Sequence, residues 1–307
     1  MKKSTKNILI AFILNFSFTI IEIVGGIMTN SVAILSDAVH DFGDSLSIGM
    51  AYFFEKKSGK TADKNYTYGY ARYSIISAFI TNLILLIGSI FVIYSAITRF
   101  ISPQEVDAKG MFILSILGII INGFAVLKTI KGEKLNEKSI NLHLLEDVLG
   151  WVIVFIGSIV MWVFNISIID SILTILVTIF ILINVYKNFK SVFAIFLEKT
   201  PKDFNVDNFV EEMKEHIAGI IDIHHIHVWL LDDVSIICTM HVVVKNELSK
   251  EEISHLKSEL KEEAKEHFNI SHLTAEIEYE SEMCEAKTCD VSMQVHSCAH
   301  HHHGHAH

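Results

Sequence analysis

Six stretches of this 307-residue chain are apolar over about twenty residues or more, the length a helix needs to cross the hydrocarbon core of a bilayer. They are Ile8–Met28, Ala33–Phe54, Tyr73–Phe100, Met111–Ile130, Ile140–Phe164 and Ile168–Phe189. Backbone amides in lipid must be satisfied within the segment, so each run is expected to be helical. Loop charges then set direction. Lysines crowd the N-terminus (Lys2, Lys3, Lys6), the 55–64 and 128–138 segments, and the end of the last run (Lys187, Lys190). The alternate loops, TNS, SPQEVDAK and NIS, are short and poor in Lys and Arg. The positive-inside rule therefore predicts a multi-pass protein of the cell membrane with both termini in the cytoplasm. Pro103 and Pro201 fall at boundaries, where they break no membrane helix. The first run lacks a small-residue cleavage site and reads as a span, not a removed signal.

The chain is 51% hydrophobic, with a mean hydropathy of +0.42, and the apolar residues are concentrated before about residue 197. Charge is concentrated after it. Three parts are predicted: a membrane domain over residues 1–200, a soluble domain over 201–281 and a tail over 282–307. A net charge of −10 disfavours nucleic acid as a partner, because phosphate binding needs a basic surface, and it is compatible with attracting cations. Three of the four cysteines (Cys284, Cys289, Cys298) lie in the tail and one, Cys238, outside it. That placement argues against a disulfide framework and fits a reducing cytosol or metal binding.

Only two of the seventeen histidines sit in strongly apolar sequence, and an aspartate follows each four residues later: His40 with Asp44, and His143 with Asp147. On a helix such pairs share a face. Two such helices side by side offer two imidazole nitrogens and two carboxylate oxygens to one point, a tetrahedral set suited to Zn2+ and also to Cd2+ and Co2+. Ionisable groups at membrane depth are costly and mark function. Asp37 and Asp41 extend the His40–Asp44 stripe along the second run, and with Glu22 on the first they are expected to flank the site or its pathway. Asn15, Asn82 and Asn122 are expected to be hydrogen bonds between helices. Metal binding to these ligands expels protons, and the imidazoles titrate near neutral pH, so metal and protons compete for one site. This predicts exchange of metal for protons at one site.

After Pro201 the periodicity changes. Val206, Phe209, Val210, Met213 and Ile217 form a helical stripe. Residues 223–231 and 235–244 read as paired strands around a turn at Asp232–Asp233, the first alternating with Ile226, Val228 and Leu230 on one face and His225, His227 and Trp229 on the other. Ser249 and Glu252 form a capping box before a second helix, and 272–279 is a last strand. The order α-β-β-α-β predicts a small α+β domain with its helices on one face of the sheet. It holds eight histidines, of which His224, His225, His227 and His241 gather at strands beside Glu276 and Glu278. The tail contains three cysteines and seven histidines without a core, a composition that binds metal and is expected to be disordered.

The segment Ser31 to Asp44 reads S-x-A-I-L-S-D-A-x-H-D-x-x-D, and His143-x-x-x-Asp147 stands in a matching position on the fifth run. Together with YGYAR at 68–72, HHIHVW at 224–229 and HLTAEIE at 272–278, these residues resemble the cation diffusion facilitator family of metal transporters along nearly the whole chain. The resemblance implies six transmembrane helices followed by a metallochaperone-like cytoplasmic domain. It also implies a transport site of His40, Asp44, His143 and Asp147, and a homodimer that brings two cytoplasmic domains together. Further metal, a regulatory Zn2+, is then expected there at His224, His241 and Glu278, with His255 and Glu276 less securely placed. Two features depart from the family's pattern: Ser74 stands where an acidic residue often follows the YGYAR arginine, and the long histidine-rich loop of many eukaryotic members is absent, which favours a bacterial cell membrane. A membrane metalloenzyme would need clustered histidine boxes that this chain lacks, so no enzyme activity is expected. The rival reading is a membrane-anchored metal sensor, although an anchor needs one span, not six.

Overall fold

A computed structural model describes the backbone of residues 3–58, 60–129 and 135–282; the Cys/His-rich tail lies outside the described residues. The chain divides into two compact units, Met1–Ala194 and Ile195–His307.

The first unit consists of long helices: α1 (Lys3–Thr29), α2 (Val32–Ser58), α3 (Tyr73–Ile101), α4 (Ala108–Thr129), α5 (Leu135–Phe164) and α6 (Ile168–Phe196). Among the described residues, three helical stretches are long and apolar enough to cross a membrane: Tyr73–Ile101, Leu145–Phe164 and Ile168–Phe196. The apolar described stretches of α1 and α4 are shorter, Asn15–Thr29 and Ala108–Phe124. The α2 helix is continuous, but Asp37, Asp41 and Asp44 interrupt its apolar sequence.

Small residues let these helices approach, as expected where lipid offers no hydrophobic drive between them. At Gly118 of α4, an added Cβ would lie 2.2 Å from the Trp151 ring of α5, so only glycine allows this contact. Trp151 is buried with Phe18, Ile34 and Met111, joining α1, α2, α4 and α5. Leu85, Ile181 and Val185 join α3 to α6. Asn15 does link helices, donating to the Asp41 carbonyl and to Ser45 Oγ of α2 at 3.2 and 3.0 Å. Asn82 instead donates to the carbonyl of Ala78 in its own helix.

A polar knot ties the N-terminal end of α2. Asp170, on the first turn of α6 and 1% exposed, accepts from Ser31 Oγ at 2.6 Å, Val32 N at 2.8 Å and Ala33 N at 3.3 Å. These are the amides a helix leaves unpaired at its start, so a carboxylate from another helix caps α2. Asn30, in the left-handed region at φ 52, makes the tight α1–α2 turn. It receives Arg99 Nη2 of α3 on its Oδ1 at 2.7 Å and donates to the Glu105 carbonyl at 2.9 Å.

The second unit is α7 (Val206–His216), β1 (Ile220–Leu230), β2 (Ile236–Val244), α8 (Lys250–Phe268) and β3 (Ile270–Tyr279), the order expected from the pattern. The sheet order is β1-β2-β3, with β1/β2 antiparallel and β2/β3 parallel. A parallel pair needs a crossover, and α8 supplies it. Asn205 caps α7, the Ser249–Glu252 capping box opens α8, and Asn269 closes α8 in the left-handed conformation. One sheet face, carrying Ile223, Val228, Cys238, Met240 and Val242, is buried under Phe209 and Met213 of α7 and Leu256, Leu260 and Ala264 of α8. Burial pushes the Cys238 thiol up to about 12, so this cysteine is a core side chain and not a ready metal ligand.

The simple alternation expected along 223–231 is corrected by a bulge. His224 pairs with His241, but His227 pairs with Thr239, so β1 fits one more residue than β2 between those pairs. His225 takes up the excess at φ 48. A bulge resets which face the following side chains occupy. Val228 therefore stays in the core while His224 turns to the opposite face, which strict alternation forbids.

Candidate metal centres

In the helical unit, the i,i+4 spacing on α2 brings His40 Nε2 to 3.7 Å from Asp44 Oδ2. The packing of α5 against α2 brings Asp147 Oδ1 to 4.0 Å from the same nitrogen. Zinc holds such ligand atoms at about 2.0–2.2 Å, which sets tetrahedral neighbours about 3.3 Å apart. Small side-chain rotations close the observed gaps. His143 lies on α5 one turn before Asp147, but its side chain is outside the described residues.

Glu22 of α1 is 1% exposed and Asp41 of α2 is 4% exposed. Glu22 lies within the electrostatic reach of Asp41, Asp37 and Asp147. An added Cβ at Gly150 of α5 would lie 3.9 Å from Asp37 Oδ1, so the carboxylates of α2 run beside α5. Glu22 of α1 thus lies within electrostatic reach of both Asp37 and Asp41 of α2. Asp170 was not singled out by sequence; the signal was an acid in the first turn of an apolar run.

In the α+β unit, the strand register lays ligand-type side chains across all three strands on the face opposite the helices. His224 of β1 stands opposite His241 of β2, which stands opposite Glu276 of β3. Glu278 links both imidazoles: its Oε1 meets His241 Nδ1, and its Oε2 lies 3.4 Å from His224 Nε2. Glu276 Oε2 lies 3.4 Å from His241 Nε2. His225, placed by the bulge, brings its ring to 4.7 Å from that of His241, and one ligand atom each of His224, His225 and His241 lies within 4.8 Å of the others. His224 is 6% exposed, and among the described residues neither of its ring nitrogens makes a hydrogen bond. Burial holds its pKa below the usual histidine value, against the pull of Glu278, which favours the neutral imidazole that binds metal. A groove of about 860 Å³ between β1 and α7 is lined in part by His224 and His225.

His255 is not part of this group. It points outward from α8, 74% exposed, with Nδ1 3.3 Å from Glu259. The physical reason is that α8 covers the other face of the sheet, and Leu256, its neighbour, is the residue turned inward. His225, absent from the expected ligand set, takes the nearer position.

Apolar helices able to cross a bilayer, joined to a small α+β unit, define a two-part membrane protein. Residues 8–197 match the cation efflux transmembrane domain and residues 201–280 the cation efflux protein cytoplasmic domain. The chain belongs to the cation efflux family, the cation diffusion facilitators, which are transporters and not enzymes. It is 32% identical over 302 residues to the cadmium, cobalt and zinc/H(+)-K(+) antiporter of Bacillus subtilis, covering 97% of this chain and 96% of that protein. It is 31% identical over 307 residues to the zinc transporter ZitB of Yersinia pseudotuberculosis, covering 98% and 96%. It is 32% identical over 282 residues to the metal cation efflux system protein CzcD of Cupriavidus metallidurans, covering 91% and 88%.

Proposed function

We propose that this chain exports divalent metal from the cytosol, Zn2+ foremost and Cd2+ and Co2+ besides, in exchange for protons. The transport site is His40 and Asp44 of α2 with His143 and Asp147 of α5. The observation that carries this reading is the meeting of His40 with carboxylates of two different helices, at 3.7 and 4.0 Å. The relatives' names, which specify cadmium, cobalt and zinc or metal cation efflux, support the substrate class. In this reading α1 to α6 all span the membrane and both termini are cytoplasmic. Residues 1–200 form the transport domain, 201–281 a cytoplasmic domain that pairs in a homodimer, and 282–307 a metal-binding tail. Glu22, Asp37 and Asp41 line the approach. His224, His225, His241 and Glu278 hold a regulatory Zn2+.

The chemistry follows from the donors. Zn2+ binds neutral imidazole and ionised carboxylate, so loading from the cytosol sheds protons. Once the site opens outward, protons return to the imidazoles and displace the metal.

The test is Zn2+ uptake into proteoliposomes with a pH-sensitive dye inside. Zinc flux accompanied by proton flux in the opposite direction is expected. Zinc flux that ignores pH would remove the proton coupling, and no flux from folded, metal-binding protein would leave a membrane-anchored metal sensor.

Selectivity gives a second expectation. His40→Asp replaces a nitrogen donor by oxygen, and harder donors suit Mn2+ better than Zn2+. Competition profiles across Zn2+, Cd2+, Co2+ and Mn2+ should show a weakened preference for zinc; an unchanged profile would remove His40 from the site.

A further inference from the structure

A third group of ligand-type side chains lies in the helical layer of the α+β unit, across the sheet from the His224–His241 cluster. His216 ends α7, while Glu263 and His267 sit four residues apart near the end of α8. His216 Nδ1 is 2.6 Å from Glu263 Oε1, and His267 Nε2 is 3.7 Å from the same oxygen. The two imidazole rings are 5.8 Å apart between centroids. Two imidazoles on one tetrahedral zinc, with Zn–N about 2.0–2.1 Å, place their ring centres about 5 Å apart. Rotation of the two half-exposed imidazoles toward each other would bring the three donors onto one ion.

The backbone beneath them is fixed. Phe209 of α7 packs edge-on against Phe268 of α8 at 4.9 Å, next in sequence to His267. Glu263 is only 17% exposed, whereas both imidazoles are about half exposed and reachable from solvent. The electrostatics favour a cation. His216 and His267 lie in the last turns of their helices, so the negative ends of two helix dipoles converge where the carboxylate already sits. Of the nearby lysines, Lys214 is engaged by Asp222 at 2.7 Å.

We infer that His216, Glu263 and His267 form a separate surface site for a divalent transition metal of the zinc class, which pins the end of α7 to the end of α8. Two nitrogens and one carboxylate oxygen suit Zn2+, and water completes the fourth position. The site stands apart from the transport site and from the sheet cluster, and does not depend on the proposal made for either.

The experiment is hydrogen exchange read by mass spectrometry on the full chain in detergent, with Zn2+ as the added metal. Zinc should slow exchange in segments 212–218 and 263–269 of the wild type, and equally in a His224→Ala/His241→Ala variant. The protection should vanish in His216→Asn/His267→Asn, and Glu263→Gln should require about 10-fold or more zinc for the same protection. Bound zinc per chain, measured by equilibrium dialysis, should fall by one in the Asn pair relative to wild type. If zinc leaves the two segments unchanged, or if their protection survives in the Asn pair, the three side chains are an ordinary imidazole–carboxylate contact and the inference is overturned. Should the Asn pair not fold, His267→Gln keeps the His216–Glu263 hydrogen bond intact and carries the same test.

Discussion

Replacing Asp44 or Asp147 by alanine should reduce Zn2+ transport in proteoliposomes by more than about 100-fold, the upper end of what losing even an indirect metal partner costs. The expectation rests on donor count and on charge. Each substitution removes one carboxylate oxygen from the set facing His40, leaving three of four proposed ligands. It also removes a negative charge that offsets the ion's own charge where water is scarce, the term that decides whether a divalent cation can sit at membrane depth. Folding should survive, because neither carboxylate caps a helix and removing a charge from an apolar bundle relieves a desolvation cost. Unchanged elution and thermal unfolding in detergent would separate loss of the site from loss of the fold. Transport retained by either variant would sink the assignment.

The second large effect concerns stability. Asp170→Ala should destabilise the helical unit by about 2–4 kcal/mol, since buried donors left without an acceptor cost roughly 1–3 kcal/mol each and removing the carboxylate's own burial cost offsets part of their sum. The donors are Ser31 Oγ and the amides of Val32 and Ala33, and all three residues are buried. Asp170→Asn keeps one acceptor oxygen but turns an NH2 group toward a donor, so it should fall between wild type and alanine. Equilibrium unfolding in mixed micelles measures this order. Equal stability of all three proteins would mean that the N-terminus of α2 is held by something other than this carboxylate. Because α2 carries His40 and Asp44, the alanine variant should also transport more slowly.

The α-β-β-α-β order was legible because strands and helices in a half-buried domain carry clean periods of two and 3.6. The paired His and Asp on α2 were legible because i,i+4 spacing on a helix is a local property. What brings Asp147 to His40 is the packing of two helices about a hundred residues apart, and no local pattern in one sequence encodes it. The face of His224 was misread for a related reason: the bulge at His225 is set by cross-strand pairing, and histidine carries no signal for the left-handed conformation as glycine does. Asp170 passed unremarked inside the sixth apolar run, because its role lies in the unpaired amides of a helix nearly 140 residues earlier.

The row His224, His241, Glu276 is drawn by main-chain pairing, one residue from each strand. The ordering of these side chains' backbones is complete when the sheet forms, so an arriving ion meets donors whose backbone freedom is already lost. The same arrangement ties the row to a vulnerable border. β3 is an outer strand, and fraying there withdraws Glu276 and Glu278 in one motion. The cluster should therefore gain or lose its carboxylates as a unit, behaving as a cooperative latch whose threshold is the local opening free energy of a single strand.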